Sequence, residues 1–280
     1  MTGVGTRETK ASLTLLVVAV MGAALLYCLR SGEPVYQGKP LRSWLEQFGT
    51  NHWSAGHRDF DRDSEAALQY FGTNAAPIYL RLLTSKESPF KAALLRHVPK
   101  SWLALFHFPS HDEYVQQVDQ RKSLGAFGFV ALGMKAKPFV PSLMVLNRDQ
   151  DQRTRYLALF ALRCLGPEAS EALPEMIECL HDPDMTIRSE AAMGIGEIHI
   201  EPEKSVHILM DFLDKYRTDR MQWFPRDDAI RSLAKFGAQA RPAVPILIGL
   251  LNDREKGIRE AATNALREID ADAAAQAGVK

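Results

Sequence analysis

The chain has 280 residues, with 34 basic and 34 acidic side chains and 46% hydrophobic residues. That balance argues against a general nucleic-acid binder, which needs an excess of positive charge. Three cysteines, Cys28, Cys164 and Cys179, do not make a disulfide framework. After a polar segment over residues 1–12, with Arg7, Glu8 and Lys10, the stretch Leu13–Leu29 is uncharged throughout. Its 17 residues are at the short end for a membrane-spanning helix and beyond the ~7–15 of a signal-peptide core. No A-x-A cleavage site follows, and bulky Tyr27 ahead of Cys28 suits no lipoprotein signal. The stretch predicts an uncleaved single-pass anchor, with secretion after signal-peptide cleavage as the alternative. Arg7 and Lys10 outweigh Glu8 before the stretch, whereas Arg30 stands alone just after it, which places the rest of the chain outside the cytoplasm.

Residues 30–61 read as a linker and a capping helix. Gly32, Pro34, Gly38 and Pro40 mark the linker, and Leu41, Trp44, Leu45 and Phe48 form one helical stripe suited to covering the end of a stack. Gly49–Asp61 is polar and predicts a loop. Residues 62–270 predict the main domain, which begins with a helix over Asp63–Phe71 and a partner over Pro77–Leu83. The unit Pro89–Phe108 is irregular, broken at Pro99, and ends in Trp102, Phe106, His107 and Phe108. It either covers a gap in the stack or presents an exposed surface. The clearest unit is Asp151–Asp182. Its first half places Tyr156, Leu157, Leu159, Phe160, Leu162, Cys164 and Leu165 on a broad apolar face, Gly166-Pro167 ends that helix, and Ala172, Leu173, Met176, Ile177 and Leu180 form a second one. Such a hairpin cannot bury both faces alone and implies neighbours. The tail over 271–280 is small and polar and predicts a frayed helix or disorder.

The neighbours are written in fixed offsets. Gly133 and Gly166 are 33 residues apart, and a proline follows eight positions after each of Gly133, Gly166 and Gly237, at Pro141, Pro174 and Pro245. Gly72 opens the same phrase earlier. Sixteen positions after the glycines come Asp149, Asp182 and Asp253, and six further on Arg155, Arg188 and Arg259. Glycine permits the reversal between antiparallel helices, and proline is tolerated in a first helical turn, where its missing amide has no helical partner. The aspartates suit capping of the next hairpin, and the arginines suit a ladder onto the aspartate or corner carbonyls of a neighbour. His199 and His207 fall where the next glycine and proline would stand, so Ile200–Glu203 is a different corner. Five residues are then added before Gly237. That insertion, Tyr216–Asp228, carries Arg217, Arg220, Trp223, Phe224 and Arg226, residue types that anchor protein interfaces, and is the candidate protein-binding site.

These landmarks resemble HEAT repeats, most closely the short bacterial type found in phycobilisome-lyase-related proteins. The resemblance implies an all-α fold, an α-solenoid of stacked antiparallel helical hairpins (HEAT/armadillo-like), here preceded by a single N-terminal hydrophobic helix. It also implies a scaffold or adaptor that binds another protein, with handling of a bilin chromophore as a minority activity. No G-x-S-x-G, Walker A, H-E-x-x-H or C-x-x-C motif is present, and Pro109 interrupts the His107–His111 spacing that would align two metal ligands. The expectation is a membrane-tethered, non-catalytic scaffold that needs no cofactor or metal, contacts the membrane through residues 13–29 and takes no nucleic acid. A lyase-like or ligand-chaperone protein and a purely structural envelope protein are the alternatives.

Overall fold

The computed structural model describes residues 33–54, 62–217, 219 and 223–279. The predicted anchor, Leu13–Leu29, lies outside the described residues. The chain divides into two compact units, ending and beginning at Trp44 and Leu45.

In the first unit the predicted linker contains a small β-hairpin. Strand β1 (Val35–Tyr36) pairs antiparallel with β2 (Lys39–Pro40). Gln37 and Gly38 both take positive φ, at 47° and 75°, the two-residue turn whose twist matches paired strands. Trp44 Nε1 donates to the Tyr36 carbonyl at 3.2 Å, and Lys39 Nζ lies 4.5 Å from the Trp44 ring centroid. Two-residue strands are too short to leave an alternating pattern, so the hairpin had no sequence signal beyond Gln37-Gly38.

Helix α1 (Leu41–Ser54) runs further than predicted, through Gly49 and into the expected loop. The reason is packing. A Cβ on Gly49, which belongs to the second unit, would lie 2.5 Å from the Phe127 ring, so the bare backbone lets this turn pack closely on Phe127. Within that unit come α2 (Arg62–Phe71), α3 (Ala76–Leu83), α4 (Pro89–His97), α5 (Lys100–Leu105) and α6 (His111–Leu132). The regular helices follow: α7 (Val140–Leu146), α8 (Gln152–Leu165), α9 (Leu173–Cys179), α10 (Met185–Ile198), α11 (Pro202–Lys215) and α12 (Trp223–Lys235). The last elements are α13 (Val244–Leu250), α14 (Lys256–Ile269) and α15 (Ala271–Gln276). The tail is thus helical: Asp270 accepts from the Ala273 amide, and Ala274 is buried.

The long helices stack in sequence order, α6 on α8, α8 on α10, α10 on α12 and α12 on α14, while the short second helices fill against them. This is an α-solenoid of stacked helices. Gly72, Gly133, Gly166 and Gly237 take φ of 51–56°, each opening a short 3-10 turn that leads into the next helix. Pro141, Pro174 and Pro245 then fall in the first turn of α7, α9 and α13. Without glycine, the fourth corner reverses by placing His199 and Glu201 in left-handed backbone, at φ of 52° and 45°. The strain is met by stacking the His199 ring on Phe236, 4.6 Å between centroids. Among the described residues one helical stretch, His111–Leu146, is long and apolar enough to cross a membrane. It lies inside the stack, with Leu124, Ala126 and Phe129 buried.

Candidate functional site

Asp149, Asp182 and Asp253 build the same corner three times. One carboxylate oxygen of each accepts the amide two residues on, from Asp151, Asp184 and Glu255, at 2.8–2.9 Å. Arg155, Arg188 and Arg259 each donate to the carbonyl of the aspartate six positions before, within their own corner. Arg155 also reaches the following repeat, with Nε 3.7 Å from Asp182. The ladder has two rungs that the offsets concealed. Lys122, 33 residues before Arg155, is buried and pairs with Asp151 at 2.9 Å. Arg226, 33 residues before Arg259, is 2% exposed and holds Asp253 at 2.5 Å. The 33-residue offset back from Arg259 marks Arg226, but the position also falls within the insertion.

The insertion therefore divides its residues between two jobs. Arg226 belongs to the frame, with its Nε enclosed and without a hydrogen-bond partner among the described residues. Trp223 and Phe224, at the start of α12, are 45% and 50% exposed and pack edge to face, 4.8 Å between centroids. Arg217 is exposed at the end of α11. Arg220 lies outside the described residues. Arg188 directs its guanidinium over the Tyr216 ring at 5.9 Å, where the other repeats place an aspartate. Beside the insertion lies a cleft of about 380 Å³, with Arg217, Arg226 and Arg254 on its wall together with Asp253, Glu255 and the backbone-open Gly249. With Arg226 already holding Asp253, Arg217 and Arg254 are the guanidinium groups that the cleft, lined also by Pro245 and Leu250, offers to a carboxylate carried on an apolar segment. At the matching position of an earlier repeat a second cleft lies beside Pro141 and Val145, with Arg148 but without the insertion's arginine.

A separate buried polar cluster lies between α8, α10 and α12. Arg163 Nε donates to Glu190 at 2.8 Å, and the Ser189 hydroxyl donates to Asp228. Burial, reinforced by the charges of Asp227 and Glu190 and opposed by the Ser189 hydrogen bond, pushes the Asp228 carboxyl up to about 6. Burial raises Glu190 as well, against the pull of Arg163. An acid raised in the folded state favours folding when protonated, and that contribution is lost as pH rises through about 6. The domain is therefore expected to melt higher at pH 5 than at pH 7. Asp228→Asn should flatten that slope and raise the pH 7 melting temperature by a few degrees; a slope unchanged in the variant would reject the assignment. The depressed carboxyls of Asp151, Asp184 and Asp253 act in the opposite sense, but only below the ordinary carboxylate range.

Cys179 is buried, with the Asn147 amide 2.9 Å from its sulfur, whereas Cys164 is exposed rather than on the apolar side of its helix; neither is in a disulfide. Among the described residues no group of three or more His, Cys, Asp and Glu is placed to hold a metal ion. His111 instead accepts a hydrogen bond from Arg96 at 2.9 Å.

The family described as HEAT repeats matches residues 140–224, from α7 to the start of α12. No curated protein matches the chain. Two crystal structures described as engineered proteins, both Northeast Structural Genomics Consortium targets, are similar in part. One is 13% identical over 82% of this chain and 96% of its own, with a TM-score of 0.43. The other is 17% identical over 83% and 68%, with a TM-score of 0.41. With the 33-residue spacing, the glycine corners and the stacked hairpins already in hand, the family match over 140–224 shows that this chain contains a HEAT-repeat domain.

Proposed function

We propose that the chain is a non-catalytic repeat scaffold, tethered to a membrane through Leu13–Leu29, that binds an acidic segment of another protein at the insertion corner. The observation that carries this reading is the exposed Trp223–Phe224 pair next to the cleft that holds Arg217 and Arg254, where five residues are added to the 33-residue period. Large aromatic rings supply contact area at low entropic cost, and guanidinium groups pair with carboxylates in a fixed fork geometry. The charge bias around Leu13–Leu29 supports an extracytoplasmic repeat domain. The repeat spacing is what supports the short bacterial, phycobilisome-lyase-like subtype within this reading.

The test is photo-crosslinking of the full chain in native membranes from a probe at Phe224, followed by mass spectrometry. One protein recovered reproducibly, with recovery falling at least tenfold for Trp223→Ala combined with Arg217→Ala at unchanged helicity, is the expected result. Equal recovery by the double variant, or a co-purifying pigment in place of a protein, would overturn it.

A further inference from the structure

The α4–α5 hairpin stands apart from the repeats in both its core and its surface. It has a small core of its own, formed by Ala92, Leu95 and Leu103 with Tyr114 and Val118 of α6. Lys91 Nζ lies 4.3 Å from the Tyr114 ring centroid, Tyr114 Oη accepts the Ser88 amide at 2.9 Å, and Arg96 donates to His111. These contacts fix which residues face out. Phe90 and Leu94, one helical turn apart, and Trp102, Leu105, Phe106 and Phe108 are all more than half exposed, with Phe90 at 79% and Leu105 at 70%. Six large apolar side chains turned to solvent from one hairpin exceed the scattered exposure ordinary in a protein surface.

Charge distinguishes what this surface meets. Between Glu87 and Asp112 the chain has no carboxylate, although acids make up 34 of its 280 residues; the same stretch carries Lys91, Arg96 and Lys100. Trp, Phe and Leu interleaved with Lys and Arg, without acids, is the composition that seats helices in the interface of an anionic bilayer, where burial of apolar area and attraction to headgroups act together. The absence of carboxylates over the whole hairpin suits a negatively charged surface, and the six large apolar side chains interleaved with the cations favour a lipid leaflet over an acidic protein face. The uncharged stretch Leu13–Leu29, in the tether reading, also keeps a bilayer within the chain's reach. We propose that the α4–α5 hairpin is a second, interfacial membrane contact, with Phe90, Leu94, Trp102, Leu105, Phe106 and Phe108 entering the headgroup–acyl boundary of an anionic leaflet.

The experiment uses the full chain, with its three native cysteines changed to serine and Leu105→Cys carrying an environment-sensitive fluorophore, in vesicles of phosphatidylcholine with and without phosphatidylglycerol. Leu105 is exposed, so the label does not disturb the core. The expected result is a blue-shifted emission quenched at least twofold by lipid-borne nitroxide, with the quenching at least halved in vesicles lacking phosphatidylglycerol and lost when Trp102→Glu and Phe106→Glu are added. A label that stays open to aqueous quenchers overturns the proposal. So does a label shielded from water but untouched by the lipid quencher, because a second copy, the Leu13–Leu29 stretch or another protein then covers the hairpin. Alkaline carbonate extraction of the same vesicles, which strips interfacial contacts but not a spanning helix, reports the tether separately, so a chain that is extracted after showing the lipid-quenched label loses the tether and keeps this contact.

Discussion

Gly125→Ala is expected to destabilise the start of the repeat stack by about 3 kcal/mol, the upper end of the range for overpacking a fixed contact, and to lower the melting temperature by roughly 10 °C. A Cβ at Gly125 would lie 2.5 Å from both the Leu83 amide nitrogen and the Tyr79 carbonyl oxygen. Both atoms are backbone of α3, so no rotamer change relieves the clash; α3 and α6 must move apart. That movement would strip contacts from fully buried Tyr79 and Leu83 and from the Tyr79–Phe129 edge contact, 5.8 Å between centroids. Gly194 shows the contrast. The nearest atoms to its added Cβ are those of the flexible Met176 side chain, which can swing aside. Gly249 lies within α13 with nothing inside 4 Å, so Gly249→Ala should be neutral or stabilise by about 0.5–1 kcal/mol through helix propensity. Thermal unfolding of the three variants side by side checks the ranking, and a Gly125→Ala variant that melts with the wild type would show that α3 is not held where the structure has it.

These glycines mark the line between what the sequence discloses and what it hides. Corner glycines recur at fixed offsets because each must take positive φ, and a backbone requirement repeated in every unit is visible as spacing. Gly125 and Gly196 answer single close approaches between particular helices, to α3 in one case and to Ser232 in the other, and one-off contacts leave no period. Small residues inside α6 could be explained in advance only as close packing, without naming the partner. The same division runs through the site. Trp223 and Phe224 could be picked out as anchor types, but the cleft needs Arg254 and Gly249, which follow the insertion by 21 residues or more and come beside it only through stacking. The hairpin over Pro89–Phe108 was legible as an interruption, but its separate core and outward face depend on which side of each short helix meets Tyr114 and Val118. The buried pair Glu190 and Asp228 was not legible at all, because isolated acids in an amphipathic pattern ordinarily read as solvated.

Arg226→Ala tests whether a residue that the sequence reads as a partner anchor belongs to the frame instead. The guanidinium is enclosed and holds Asp253, whose carboxylate is itself only 11% exposed and also accepts the Glu255 amide. Burial alone would raise the Asp253 carboxyl, yet the hydrogen bond from Arg226, the Glu255 amide and the charges of Arg226 and Arg259 hold it below the usual carboxylate range. Removing Arg226 leaves that buried charge short of its principal partner, and breaking such a pair costs about 3–5 kcal/mol. Because a depressed acid stabilises the fold above its unfolded pKa and loses that contribution as pH falls through the folded value, the deficit of the variant should be full at pH 7 and shrink below about pH 4. Arg155 occupies the equivalent rung, but its contact with Asp182 is 3.7 Å and both side chains are more accessible, so Arg155→Ala should cost clearly less. Arg226→Lys should recover only part of the loss, since an ammonium cannot reproduce the planar fork. If Arg226 were instead a partner anchor, its alanine variant would melt with the wild type and fail only in capture. A pH-dependent fall in melting temperature places it in the frame, where it orients the corner that carries Trp223 and Phe224 toward whatever those rings bind.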